Sequence, residues 1–344
     1  MPTVSPGSKV LVTGANGFIA IWVVRRLLEE GYSVRGTVRA ASKASHLKDI
    51  FKSYGEKLEV VVVPDFTKEG AFDELIKGMD AIQHIASPGP ANTDDLYEIV
   101  NPAVDGTLNL LNTALKHGSG LKRIVITSGA GAIIDTTSTE PRTFTEDDWN
   151  DGSVRDIEEK GNDVPVYEKY RASKVLAERA AWKFYNDHKN VIKWDLTVLN
   201  PVFVFGPPIH EIGASPMTLN SSMVHFWVNV ISTDTPKTKE GLSFAASWVD
   251  VRDVAQGHVL ALQKEAAGGE RIILSEGSFV WQDWVDVANK FKSKRELPKG
   301  MPEIERVYKF QMDASKATRI LGITYRSKED TMKDLLEDFE RRGW

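Results

Sequence analysis

A tyrosine and a lysine stand four residues apart in Tyr170-Arg171-Ala172-Ser173-Lys174. On an α-helix that spacing puts both side chains on one face. The pairing has a definite chemical use. Reducing a carbonyl requires a hydride on carbon and a proton on oxygen. A free phenol, with a pKa of about 10, is a poor proton donor at neutral pH. A neighbouring ammonium stabilises the phenolate and makes the phenol a better acid. Tyr170 is therefore the candidate proton donor and Lys174 its partner, and the same ammonium can hold the ribose of a bound nicotinamide nucleotide. Tyr167 is a decoy, because the residue four positions on is Arg171. A tyrosine–lysine pair by itself usually marks only a helix surface, so the reading needs a second motif.

That motif is Gly14-Ala15-Asn16-Gly17-Phe18-Ile19-Ala20, directly after the apolar run Lys9–Thr13. Its spacing is that of a dinucleotide-binding turn. Gly14 permits the tight turn, Gly17 lets the backbone approach a pyrophosphate, and Ala20 lets the following helix sit close to the sheet. Asn16, Phe18 and Ile19 fall in the same turn as cofactor contacts, where the helix N-terminus offers free N–H groups to phosphates. The end of the second strand selects between cofactors. An acid there would bond the adenosine ribose and favour NAD, but the chain reads Thr37-Val38-Arg39-Ala40-Ala41-Ser42-Lys43. Arg39 can clamp a 2′-phosphate through its planar fork and Lys43 can add a second charge, so the expected cofactor is NADPH/NADP. Asp65 and Phe66, after the third strand, are expected to meet the adenine ring.

These residues need a scaffold. Strand-like runs at Lys9–Thr13, Ser33–Val38, Leu58–Val63, Ala81–Ile85, Arg123–Thr127 and Trp194–Asn200 alternate with helical stretches at Gly17–Glu30, Asp94–Lys116 and Tyr167–His188. Such alternation predicts an α/β fold with a doubly wound parallel sheet. Leu58–Val63 is almost wholly apolar, as expected of a strand covered on both faces. After about Gly206 the pattern loosens, with helices expected near Met217–Val230, Val251–Leu262, Trp281–Lys292 and Lys328–Arg341. The expected organisation is a nucleotide-binding domain over residues 1–206, with sheet contributions from about 245–275. A smaller, mostly helical C-terminal substrate lobe over 207–344 is interleaved with it. Asp250 and Asp253 read as the N-cap and first-turn acid of one helix.

Composition narrows the class. Of 344 residues, 42% are hydrophobic and 26% charged, as in an ordinary globular protein, and the net charge of -5 argues against a nucleic-acid or anionic-membrane surface. The absence of cysteine excludes disulfides, thiolate catalysis and cysteine-bound metal, and no metal site is expected. No apolar run reaches membrane-spanning length, and the short polar N-terminus carries no targeting pattern, so a cytoplasmic location is expected.

Together, VTGANGFIA, TVR, HIAS at His84–Ser87, ITSGAGAI, YRASK, NPVFVFGP at Asn200–Pro207 and WVDVRDVAQGH at Trp248–His258 resemble the extended short-chain dehydrogenase/reductase family. The likeness is strongest to its dihydroflavonol reductase, methylglyoxal/isovaleraldehyde reductase and fungal NADPH-dependent aldehyde and ketone reductase branch. The resemblance spans nearly the whole chain. It implies a Rossmann domain, NADPH, Tyr170 as proton donor and Lys174 as its partner. It also implies that Ile85, Ala86, Ser87 and Thr127 line the cofactor, that Pro201, Val202 and Val204 pack by the nicotinamide, and that Ser222 reaches it. One position departs. Where the family carries a carbonyl-binding serine or threonine, this chain has Gly129. Ser128 or a water substitutes, or the position has been opened for a bulky substrate, or the enzyme is crippled.

The expected activity is therefore reduction of a small-molecule carbonyl. An NADPH-binding redox sensor with little turnover, and a sugar-nucleotide epimerase or dehydratase, are the alternatives. Met217, Met223, Phe226 and Trp227 are equally readable as pocket or core. Ala91–Tyr97 and Asp147–Val164 are candidate pocket walls. A monomer and a homodimer are both compatible with the sequence. If Arg39 clamps the 2′-phosphate, Arg39→Asp should weaken NADPH binding about ten- to a hundredfold, the worth of a charge-assisted bidentate contact. An unchanged NADPH/NADH preference, measured by titration, would remove Arg39 from that role.

Overall fold

A computed structural model describes residues 3–87, 93–137 and 140–344. Ala91 and Asn92, at the start of one candidate pocket wall, lie outside the described residues, as do Met1 and Pro2 of the N-terminus. The chain begins with β1 (Lys9–Thr13), α1 (Phe18–Glu29), β2 (Ser33–Val38), α2 (Ser42–Ile50), β3 (Leu58–Val62), α3 (Asp73–Ile76) and β4 (Ala81–His84). It continues through α4 (Leu96–His117), β5 (Arg123–Thr127), β6 (Arg142–Phe144), α5 (Asp151–Lys160), α6 (Val166–His188), β7 (Asp195–Pro201) and β8 (Phe203–Phe205). The C-terminal part adds α7 (Ser221–Phe226), α8 (Lys239–Leu242), β9 (Ala245–Asp250), α9 (Val251–Gln263), β10 (Arg271–Leu274), β11 (Gly277–Val280), α10 (Trp281–Ala288), β12 (Phe310–Met312), α11 (Ser315–Leu321) and α12 (Lys328–Arg341).

Seven strands form one parallel sheet in the order β10-β7-β5-β4-β1-β2-β3. The chain winds outward from β1 to β3, returns to β4 and winds outward the other way, so the topological switch lies between β1 and β4. A crevice opens there at the strands' carboxyl ends, which is where ligands bind in such sheets. Helices α1 and α9 pack together, and α4 packs with α6. Every residue of β7 is buried, as a central strand requires. β3 corrects the expectation of burial on both faces. It is the edge strand, all of its residues are partly buried or exposed, and Val62 is 39% exposed. Its apolar sequence reflects β propensity more than burial.

The C-terminal part carries more strand than expected: β9 and β11 join β8 in a three-stranded sheet, and β12 pairs in parallel with β6. The helix expected over Met217–Val230 is instead a short 3₁₀ turn at Pro216–Thr218, then α7, then a π-helical turn at Trp227–Ile231. Met223, Phe226 and Trp227 are buried core, while Met217 is exposed. Phe226 joins Phe205, Phe279, Trp281 and Trp284 in an edge-to-face and tilted aromatic cluster. Asp250 caps α9, accepting from the Arg252 N–H at 2.8 Å, and also accepts from the Thr331 hydroxyl of α12 at 2.8 Å. Asp253 accepts the Arg326 N–H at 2.7 Å, so both acids are structural. The stretch Asp147–Val164 holds α5. Among the described residues, no helix is long and apolar enough to cross a membrane, and no His/Cys/Asp/Glu cluster suits a metal ion.

Between α9 and the sheet lies a buried polar ladder. His258 Nδ1 donates to Gln83 Oε1 at 2.7 Å, and Gln83 Nε2 donates to the His258 carbonyl at 2.8 Å. Nε2 is left to accept from the Thr127 hydroxyl at 3.0 Å. Full burial pushes the His258 pKa down to about 3. The unfolded chain, with an ordinary histidine pKa of about 6.5, takes up a proton that the folded chain refuses. The ladder's contribution is thus fully present above about pH 6.5 and is lost as pH falls towards the folded value, by at most about 1.4 kcal/mol per pH unit. Denaturation midpoints between neutral and mildly acidic pH should fall less steeply in His258→Gln than in the parent. An identical slope would mean that His258 titrates normally.

Candidate active site

Backbone geometry builds the first wall of the crevice. Gly14 has a φ of 64°, in the left-handed region that favours glycine. A Cβ there would stand 3.1 Å from Ala86 Cα and 3.2 Å from Ala86 Cβ, so the turn after β1 and the segment after β4 touch backbone to backbone. Thr13 fastens the same junction. Its hydroxyl oxygen accepts from the N–H groups of Ile85 (3.1 Å) and Ala86 (3.0 Å). Its proton goes to His84 Nδ1 at 3.0 Å, which fixes the histidine's own proton on Nε2. Burial first, and the Lys174 ammonium second, push His84 down to about pKa 4, so it stays neutral beside that lysine. Gly17 caps α1 without any side-chain hydrogen bond, so no side chain caps its first turn. Asn16, Phe18 and Ile19 surround that helix end. A narrow, backbone-lined cradle at a helix N-terminus fits a pyrophosphate.

The two cations after β2 are exposed, as a polar ligand would need. Lys43 pairs with Glu211 at 2.8 Å. Asp65 accepts from the N–H and the hydroxyl of Thr67 at 2.9 and 2.6 Å, a turn role that holds its carboxyl below the usual range, chiefly through the hydroxyl. Phe66 turns its ring inward onto Gly106 of α4, where even a Cβ would collide.

The reactive pair comes from α6, whose Pro165 N-cap and long run of good helix formers start it sharply. Lys174 is buried with its Nζ donating to Ser87 Oγ at 3.0 Å, at the end of β4. The same nitrogen lies 5.6 Å from the centre of the Tyr170 ring. Tyr170 is 37% exposed and open to a substrate. Tyr167 is more exposed and faces Arg171, whose guanidinium is held by Glu168, Thr136 and the Ile134 carbonyl.

The end of β5 differs from the simplest expectation. Thr127 spends its hydroxyl proton on His258 in the core. Ser128 donates its hydroxyl proton to Glu178 Oε2 at 2.5 Å, so that proton is not free for a substrate oxygen, although the residue lines the same cavity as Ser87 and Lys174. Gly129 is in extended backbone, and a Cβ there would meet nothing nearer than the Pro201 carbonyl at 3.6 Å. The position is open, and a serine fits it without strain. Pro201 ends β7, Val202 and Val204 are buried just beyond it, and Ser222 lies partly buried on α7.

Sequence reasoning missed Glu178. It follows Lys174 by four residues and Tyr170 by eight, so the three share a helix face, and that spacing is the signal that could have found it. Its buried carboxylate receives Ser128, Asn200 Nδ2 at 2.9 Å and Arg271 Nε at 2.5 Å. Arg271 in turn stacks over Trp149 at 3.8 Å and donates to the Glu146 and Asp148 carbonyls. One carboxylate thus links α6 to the ends of β5, β7 and β10.

The family model described as the NAD dependent epimerase/dehydratase family matches residues 10–275. An NADPH-dependent methylglyoxal reductase of Saccharomyces cerevisiae is 34% identical over 338 residues, covering 94% of this chain and 96% of the relative. A ketoreductase of Aspergillus niger, azaE, is 34% identical over 348 residues, covering 96% and 97%. Among solved structures, yeast methylglyoxal/isovaleraldehyde reductase Gre2 complexed with NADPH superposes with a TM-score of 0.85 at 31% identity, covering 97% of this chain and 99% of that one.

Removing Arg271 should cost about 3–5 kcal/mol, because Glu178 is left buried and unpaired. In urea denaturation Arg271→Met should therefore be strongly destabilised, and adding Glu178→Gln should recover part of the loss. Strict additivity of the two changes would mean that they do not act as a pair.

Proposed function

The chain belongs to the NAD dependent epimerase/dehydratase family, and on that premise we propose that it reduces a small aldehyde or ketone to the alcohol with NADPH. The observation that carries this reading is the Lys174 ammonium, which bridges Ser87 at the crevice to the face of the proton-donor ring. The reductase names of the relatives, and the NADPH in the Gre2 structure, support it.

The bound reduced nicotinamide supplies the hydride. Gly14, Gly17 and the first turn of α1 hold the pyrophosphate, and Arg39 with Lys43 holds the 2′-phosphate. Asp65 and Phe66 border the adenine with their turn. Ile85, Ala86, Ser87, Pro201, Val202, Val204 and Ser222 border the nicotinamide half. Tyr170 gives its phenolic proton to the carbonyl oxygen as negative charge develops there. Lys174 lies close enough to favour the phenolate that remains, and its bond to Ser87 keeps it aimed. His84, neutral and hydrogen-bonded to Thr13, adds no competing charge beside it.

Gly129 offers no side-chain donor to the oxyanion, and Ser128 is committed to Glu178. That combination favours a pocket opened for bulk over one in which Ser128 substitutes. Residues 1–206 with the strand at Arg271–Leu274 act as the nucleotide-binding unit, and 207–344 as the substrate lobe. The turn, Tyr170 and Lys174 all come from one chain, so either a monomer or a homodimer would work. A cysteine-free reductase fed by NADPH fits the cytoplasm.

Tyr170→Phe keeps the ring and removes the acid. It should bind NADPH normally while turnover of a small aldehyde falls roughly 10²–10⁴-fold. Near-parental turnover would reject the mechanism. Gly129→Ser should restore an oxyanion donor and raise kcat for a small aldehyde more than it lowers KM, since such a donor acts mainly on the transition state. With a bulky ketone the same change should lower activity. No gain with the small aldehyde, together with a severe Ser128→Ala defect, would assign the carbonyl contact to Ser128.

A further inference from the structure

Lys43 is exposed on the first turn of α2, yet it is not alone. Its Nζ donates at 2.8 Å to Glu211 Oε2, a residue 168 positions away on the loop that leaves β8. That loop is tied down along its length. Trp22 Nε1 of α1 donates to the Pro207 carbonyl at 3.0 Å, and His46 Nε2 of α2 donates to the Ile209 carbonyl at 2.9 Å. The His210 ring packs edge-on against Phe18 with centroids 5.4 Å apart. From the other side, Arg342 donates to the Pro208 carbonyl and Trp344 Nε1 to the Ala214 carbonyl, both at 2.9 Å. Glu211 is thus presented by a fixed strap, not by a free surface loop. The groove beside it is lined by Arg25, His46, His210, Arg341 and Arg342, and Glu211 is the one carboxylate lining it among the described residues. Three arginines line that groove, yet the carboxylate makes its ion pair with Lys43.

We propose that Glu211 is a specificity-determining residue that competes with the 2′-phosphate of NADPH for Lys43 and so narrows the preference for NADPH over NADH. The inference rests on the reading of Lys43 as a 2′-phosphate contact. The arriving phosphate must either displace the carboxylate or lie beside it, and both outcomes weaken binding through like-charge repulsion. NADH has a hydroxyl in the same place. It meets no such repulsion, and it can donate a hydrogen bond to a carboxylate. Both side chains of the pair are 47% exposed, so solvent and salt screen the effect and keep it modest. The strap also joins the nucleotide-binding helices to the C-terminal residues, which places the device at the seam of the two parts of the chain.

The test is a pair of fluorescence titrations, with NADPH and with NADH, on the parent, Glu211→Gln, Lys43→Met and the double variant. Glu211→Gln should tighten NADPH about three- to tenfold at low ionic strength, while NADH changes by less than about twofold. The gain should shrink in high salt. In the Lys43→Met background, where there is no ammonium to compete for, the gain should be smaller. If Lys43→Met weakens NADPH but Glu211→Gln leaves it unchanged or weaker, the competition is refuted while the phosphate reading stands. If Lys43→Met leaves NADPH affinity unchanged, Lys43 does not hold the phosphate, and the inference falls with that reading.

Discussion

A single buried carboxylate, that of Glu178, holds the geometry on which the rest of the site depends. Burying a charge is costly unless it is paired and hydrogen-bonded, and Glu178 is surrounded by donors from Ser128, Asn200 and Arg271. Those donors come from the ends of β5, β7 and β10. The helix that carries Glu178 also carries Lys174 one turn before it and Tyr170 two turns before it. Satisfying the charge therefore fixes the rotation and height of α6 against the sheet. Replacing such a pair with apolar groups can be neutral for stability. Its value here lies in position, because a proton donor misplaced by an ångström loses much of its effect.

The second determinant is winding. The two halves of the sheet diverge from β1 and β4, so the glycine turn and the Ile85–Ser87 segment face each other across one crevice. Gly14 against Ala86, and Thr13 bonded to the N–H groups of Ile85 and Ala86, close that crevice at backbone distance. α6 then brings the Tyr170–Lys174 face to its mouth. Chemistry assembled from three separate segments thus needs only short reaches.

Much of this was legible in the sequence because it obeys local rules. The turn at Gly14, the strand ends, the α6 pair and the capping role of Asp250 follow from spacing and residue type. What was not legible depends on partners far along the chain. Thr127 and Ser128 look alike in sequence, but His258 claims one hydroxyl and Glu178 the other. The apolar run at β3 reads as a central strand, yet only the winding decides that it forms the edge. Phe226 and Trp227 were ambiguous between pocket and core until the aromatic cluster around Phe205 and the contact with Phe339 buried them. The pairing of Lys43 with Glu211 carries no local signal at all.

The account turns on direct transfer from cofactor to carbonyl carbon at a crevice governed by Tyr170. The most direct test is to supply NADPH labelled with deuterium at nicotinamide C4, on one face at a time, together with a small aldehyde, and to examine the alcohol by mass spectrometry and NMR. Deuterium should appear on the carbinol carbon from one of the two labelled faces and be absent with the other. Consumption of NADPH with no deuterium in the product from either face, or an alcohol formed without NADPH consumption, would contradict the account.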